Sequence, residues 1–246
     1  MSTAARSTVY STRLLDRFEV AEQTMAFRLA KPDHFVFKAG QSIDVSLIDP
    51  PETDEEGNTR TFSLASAPEE ESLLVATRMR DTAFKRVLGK LPAQSQVQID
   101  GPHGHLLLHG DSKRPAVLLA GGIGITPFRG MLRSAASRNL PHRIFLFYSN
   151  RRPQDAAFLS ELLTHAQQHL RFKMIPVMTR VGTAVKDWKG ETGHIGRDML
   201  TRYLKDADAP VYYIAGPPVM VSAMQSMLNE SGVNDDDIRV EEFSGY

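Results

Sequence analysis

Apolar and polar residues alternate in short runs over the first 109 positions: STVYSTRLLDRF, MAFRLAK, QSIDVSLI, RTFSLAS, SLLVATRMR, SQVQIDG and HLLLH. A period of two sends successive side chains to opposite faces, the mark of half-buried strands. Turn signals separate the runs at Lys31-Pro32-Asp33, Asp49-Pro50-Pro51, Glu56-Gly57-Asn58 and Pro68, a spacing that suits a small antiparallel barrel. One helix is predicted from Phe84 to Leu91. From residue 115 the pattern changes. PAVLLAGG, RIFLFYSN, RFKMIPVM, VYYIAGPP and IRVEEF are mostly apolar runs, with helical spacing near 127–138, 154–168, 197–204 and 218–231 between them. Buried strands that alternate with amphipathic helices predict a parallel sheet covered by helices. The switch near HGDSKRPA divides the chain into an expected antiparallel β-barrel unit at 1–110 and an α/β unit with a parallel, Rossmann-like sheet at 111–246.

Composition narrows the chemistry. The 246 residues contain no cysteine, which excludes disulfides, thiolate nucleophiles and a cluster held by four thiolates of this chain. Lys+Arg and Asp+Glu each count 29, and the two halves differ by only a few charges, so nothing argues for nucleic acid. The N-terminal stretch is polar and no run approaches a membrane span, so a cytoplasmic protein is expected.

The second half opens with VLLAGGIGITPFRGML, a buried strand followed by Gly121, Gly122 and Gly124 in a turn and by Thr126-Pro127 at the start of a helix. Glycine lets backbone approach a ligand closely, and a helix N-terminus offers N–H groups and positive potential to phosphate. Thr126 is placed to cap that helix and Pro127 to sit in its first turn. A second turn, Gly216-Pro217-Pro218, ends the strand VYYIAG. In an open parallel sheet ligands gather at the carboxyl ends of strands, so the two turns together predict a pyrophosphate site.

Five motifs in order, FKAGQ, RTFSLAS, GPHG, GGIGITP and AGPPVM, span nearly the whole chain and resemble the ferredoxin–NADP reductase-like flavoproteins. The resemblance implies a barrel that carries FAD, a second unit that binds NADPH or NADH, and hydride transfer in the cleft between them. It implies that Arg60 pairs with the flavin phosphate, that Phe62 packs on the cofactor and that Ser63 lies near its reactive nitrogen, with Thr61 beside them. A guanidinium fork does match phosphate oxygens, and a ring face suits a flat heterocycle. Further flavin contacts are implied at Ala76, Thr77 and Arg78, and at Thr82, Ala83 and Phe84, where backbone N–H groups meet phosphate. Phe243, with Tyr246 as second candidate, is implied as the aromatic that covers the flavin face. Phe62 and Ala215 stand where many members have tyrosine and cysteine.

Arg80 reads as a solvated strand edge. After the second parallel strand, Ser149, Arg151 and Arg152 are candidates for a nucleotide 2′-phosphate, which favours NADPH. His103, His105 and His109 fall at even offsets, yet Gly104 loosens the strand and no metal site is expected, only loop and surface histidines. The expected partner is a ferredoxin, a flavodoxin or an oxygenase component that takes electrons singly. The alternatives are a diaphorase or free-flavin reductase, and a non-catalytic flavin-holding relay subunit of a larger complex.

Overall fold

The computed structural model describes residues 9–180 and 188–243. The alternating first half forms six strands, β1 (Val9–Ala21), β2 (Thr24–Ala30), β3 (Ser42–Leu47), β4 (Thr59–Ser63), β5 (Ser72–Arg78) and β6 (Gln96–His103), with one helix, α1 (Ala83–Lys90), before β6. All pairings are antiparallel, in the order β4-β3-β6-β1-β2-β5. The two outer strands approach each other where Ala65 N–H donates to Leu74 O at 2.7 Å, so the sheet curls into a barrel. Phe84, Val87 and Leu88 of α1 plug its interior against Phe62, Ile43 and Val97.

The second half forms β7 (Ala116–Gly121), α2 (Ile125–Ser137), β8 (Ile144–Asn150), α3 (Leu159–Gln168), β9 (Phe172–Met178), β10 (Glu191–Thr192), α4 (Arg197–Tyr203), β11 (Val211–Gly216), α5 (Pro218–Glu230) and β12 (Ile238–Glu242). These strands are parallel, in the order β10-β9-β8-β7-β11-β12. Every residue of β7 and β11 is buried, because helices cover both faces. The period of two divides their side chains: Leu118, Leu146 and Tyr213 face α2 and α3, while Val117, Phe147 and Ile214 face α4 and α5. No described helix is long and apolar enough to cross a membrane.

The core around α2 also takes in Ala26, Ala65, Leu74 and Ala76 of the barrel, so one hydrophobic cluster joins the two sheets. α2 lies against the chain leaving β4. A Cβ at Gly130 would stand 2.9 Å from Leu64 O and 2.8 Å from Ser66 O. Next to it, buried Arg129 donates to Ala65 O at 2.6 Å and pairs with Glu161 at 2.8 Å.

HLLLH, expected as a strand, is not one. β6 ends at His103, and Gly104 turns the chain at a φ of +89°, so Leu106 enters the shared core without a ladder partner. His109 is a core residue rather than a surface one. Its Nε2 lies 3.0 Å from the Arg114 carbonyl, which can only accept, so that nitrogen carries the proton. Nδ1 then accepts from the Tyr213 hydroxyl at 2.8 Å. His103 lies 3.9 Å from Asp44 and from Asp100. Among the described residues no His, Cys, Asp or Glu cluster is arranged to hold a metal ion.

The packing of α2 makes Gly130→Ala a costly change, by about 2 kcal/mol, read as a lowered melting temperature, because the new methyl meets backbone oxygens that cannot yield cheaply. An unchanged melting temperature would show that α2 is not seated on residues 64–66. Buried histidines add a pH dependence. Burial holds His109 below its ordinary range and, aided by the charges of His169 and Arg133, takes His165 to about 4. Each therefore binds a proton more readily unfolded than folded. Their contribution is present above about pH 6.5 and is lost as pH falls, for His165 toward about 4 and on the order of 2 kcal/mol. His165→Gln should flatten that limb of the stability curve in denaturant titrations.

Candidate functional site

β4 forms one wall of a cavity of about 530 Å³ in which Arg60, Phe62 and Ser63 all take part. Arg60 and Phe62 share a side because they are two residues apart on a strand. Ala76, Thr77 and Arg78 at the end of β5 add a second wall, and Ile123 and Phe243 arrive from the α/β unit. Phe62 is 7% exposed, its ring 6.0 Å from Phe84 and tilted by 34°. Thr61 turns its hydroxyl to Asp44 Oδ1 at 2.5 Å.

Among the described residues four cations line this space, Arg60, Arg78, Arg80 and Lys85, against the one carboxylate of Glu56. Burial, with the Arg80 and Arg60 charges beside it, pushes the Lys85 ammonium below its usual range. The cavity is thus short of negative charge. Arg60 itself is engaged by the loop that precedes it. Its Nη2 lies 3.2 Å from Asp54 Oδ1 and 2.7 Å from Glu56 Oε2, and its Nη1 donates to the carbonyls of Glu56, Gly57 and Thr59 at 2.8–3.1 Å. Thr82 caps α1, with Oγ1 accepting from Lys85 N–H at 3.4 Å. The Phe84 side chain is core, under the Arg60 guanidinium at 5.2 Å, so residues 82–84 offer outward mainly backbone and the Thr82 hydroxyl. The Ala83 N–H donates to Asp54 Oδ2 at 2.9 Å. Burial alone would raise the Asp54 carboxyl, but Ala83 and Arg60 outweigh it and hold it below the ordinary carboxylate range.

A second cavity of about 350 Å³ lies at the carboxyl ends of the parallel strands, lined by Gly121, Gly122, Ser149, Arg151 and Pro217. Arg78 and Arg80 line both cavities, so the two spaces adjoin. The glycines divide their work. Gly122 adopts a φ of +53° and opens the turn, whereas Gly124 is buried where a Cβ would stand 2.2 Å from Ala215 O. Gly124 and Gly216 are therefore glycines of close packing between β7 and β11. Thr126 does not cap α2. The helix follows a 3-10 turn at Gly122–Gly124, begins at Ile125, and the Thr126 hydroxyl donates back to Ile123 O at 3.0 Å. Arg152 does not reach the cavity either: it pairs with Asp155 at 2.7 Å and Glu22 at 2.9 Å, clamping the turn to the barrel.

In the wall of the larger cavity, Ser63 donates its hydroxyl to Glu241 Oε1. Burial raises the Glu241 carboxyl above its usual range, and the Ser63 bond offsets part of this. Phe243 follows two residues later, its N–H bonded to Gly216 O at 3.0 Å. Tyr246 lies outside the described residues.

Arg80, Lys85, Thr179 and His194, which line the cavities, and Glu241, which holds Ser63, are residues that the motifs do not single out. Glu241 was within reach of pattern reasoning, because a count of two back along β12 from Phe243 finds it on the same face. Arg80 lies where the chain leaves β5 for α1, where periodicity is silent, and Lys85 stands in the first turn of α1, where helical spacing does not tell which lysine faces the cavity.

Aromatic and aliphatic surface joined to a set of cations is what a flavin with a phosphate tail requires, and the lining fits that group. Residues 118–226 match the model of the family described as oxidoreductase NAD-binding domain. The chain is 30% identical over 206 residues to one subunit of the Na(+)-translocating NADH-quinone reductase of Shewanella denitrificans, covering 78% of this chain and 50% of that protein. It spans about half the length of such subunits. It is 29% identical over 194 residues to a probable flavin reductase of Photobacterium leiognathi, covering 76% of this chain and 78% of the relative. A ferredoxin NADP+ reductase from Neisseria gonorrhoeae, solved with bound FAD and NADP, superposes with a TM-score of 0.77 at 21% identity, over 95% of this chain and 98% of that one. The whole chain thus shares the two-unit fold of that reductase, and its second unit carries the match to the oxidoreductase NAD-binding domain family.

Proposed function

We propose that this flavoprotein takes hydride from NADPH in the cytoplasm and passes electrons to a separate one-electron carrier, a ferredoxin, a flavodoxin or an oxygenase component. The flavin unit is 1–110 and the nucleotide unit 111–246. One observation carries the reading: the two cavities share Arg78 and Arg80, so a nucleotide resting on Gly121, Gly122 and Pro217 adjoins the cavity that Phe62 and Ser63 line. Bound FAD would supply the hydride and single-electron chemistry, and the chain supplies binding and alignment.

Each residue's task follows from its place. Arg60, Arg78, Arg80 and Lys85 answer phosphate charge, and Phe62 offers ring surface. Ser63 is held in one orientation by Glu241, whose carboxyl burial raises above its usual range. The Phe243 ring covers the cavity from the nucleotide side, and its bond to Gly216 ties that cover to the nucleotide turn. The nucleotide cavity carries Arg78, Arg80 and Arg151 and no carboxylate among its described lining, which favours a 2′-phosphate and hence NADPH. A second reading, reduction of free flavin, is favoured by the engagement of both Arg60 amino groups within the protein, which argues for a flavin that exchanges.

Stopped-flow reduction by NADPH and by NADH, followed by a survey of acceptors, tests the proposal. A chain that takes up no flavin on titration would sink it. Arg151→Ala should raise the KM for NADPH about tenfold and leave that for NADH nearly unchanged, with the difference shrinking as salt screens the charge. Equal effects on both nucleotides would dismiss Arg151 as the 2′-phosphate reader. Glu241→Gln should slow flavin reduction about a hundredfold, with flavin affinity unchanged and the acid limb of the rate profile gone. A full rate in that variant would take the Ser63–Glu241 pair out of the chemistry.

A further inference from the structure

The loop Asp49-Pro50-Pro51-Glu52-Thr53-Asp54-Glu55-Glu56-Gly57 packs on Arg60 and the start of α1 and joins the lining of the larger cavity through Glu56. It is fastened to α1 at two points. Glu52 accepts from Arg86 Nε at 3.1 Å and Nη2 at 2.6 Å, and Asp54 accepts from the Ala83 N–H at 2.9 Å. The second fastening has an unusual partner set. One carboxylate bridges the guanidinium of Arg60 and the first N–H of α1, and these are the two donors that a flavin phosphate would require.

We propose that Asp54 is an internal anion that occupies the phosphate seat and sets how tightly this protein holds phosphorylated flavins. The proposal rests on the flavoprotein reading of the cleft. Its geometry leaves little room for an alternative role in which Asp54 merely aims Arg60 at the ligand. Both amino groups of Arg60 are already turned toward residues 54–59, and only the displacement of Asp54 and Glu56 frees them for the cavity. The loop turns sharply at both ends. Asp49 adopts a φ of +43° at one end, and Gly57, at +73° with open space around its α-carbon, sits at the other. A phosphate must therefore displace a carboxylate of like charge, and apparent affinity falls by the fraction of time the seat is taken.

The test is flavin binding by the full chain freed of flavin, with riboflavin, FMN and FAD compared by fluorescence quenching. Asp54→Asn keeps the shape and removes the charge. It should lower Kd for FMN and FAD about tenfold while riboflavin, which has no phosphate, changes less than about twofold. Asp54→Ala should act in the same direction. Weaker FMN and FAD binding in both variants would show that Asp54 orients Arg60 for the ligand and would overturn the proposal. Tightening of riboflavin in step with FMN would overturn it too, by showing a steric cover instead of a competing anion. Either result leaves the flavoprotein reading standing, whereas failure of all three flavins to bind wild type and variants removes both.

Discussion

Everything at the cleft depends on how α2 is seated against the chain leaving β4. Gly130 brings the helix to within contact of Leu64 and Ser66 backbone oxygens, and Arg129 ties the Ala65 carbonyl to Glu161 in the same layer. A buried guanidinium must find partners for its donors, and here those partners lie on both units. The contact is therefore specific as well as close. It begins at the residue that follows Ser63, so β4 and α2 are referenced to each other within a few residues of the larger cavity. One hydrophobic cluster running through both sheets makes that reference stiff.

Electrostatics then gives the cleft its direction. Cations from the barrel face the larger cavity, two of them also face the nucleotide cavity, and the local acids are drawn into pairs with Arg60, Arg86 and Arg152. What remains toward the open space is a positive surface matched to phosphates. The exception is Glu241, a half-buried carboxyl whose partner is a neutral hydroxyl. Burial makes such a group hold its proton more firmly.

Much of this was legible from pattern alone. The period of two marked six barrel strands and the face shared by Arg60 and Phe62, and the nearly continuous apolar runs of β7, β8 and β11 marked a sheet covered on both sides. Those features are local: they follow from backbone geometry and from which residues tolerate water. The glycine turns were legible as turns, and only packing distances separated the cleft-facing Gly121 and Gly122 from Gly124, which serves close approach to Ala215. The same holds for HLLLH, whose alternation is that of a strand but whose backbone meets no partner, because the shared core takes Leu106 instead.

The sequence by itself determined the two architectures, their order and the residue types that a flavin and a nucleotide would meet, since each is set by periodicity and by short motifs. Tertiary structure alone decided which charges are spent and which are free. Arg151 and Arg152 are neighbours with the same side chain, yet one lines the nucleotide cavity and the other closes an ion pair with Glu22, 130 residues away in the chain. Glu241 and Ser63 are 178 residues apart and make one hydrogen bond. Long-range pairings of this kind depend on how two independently formed units dock, and no local pattern of hydrophobicity carries that information.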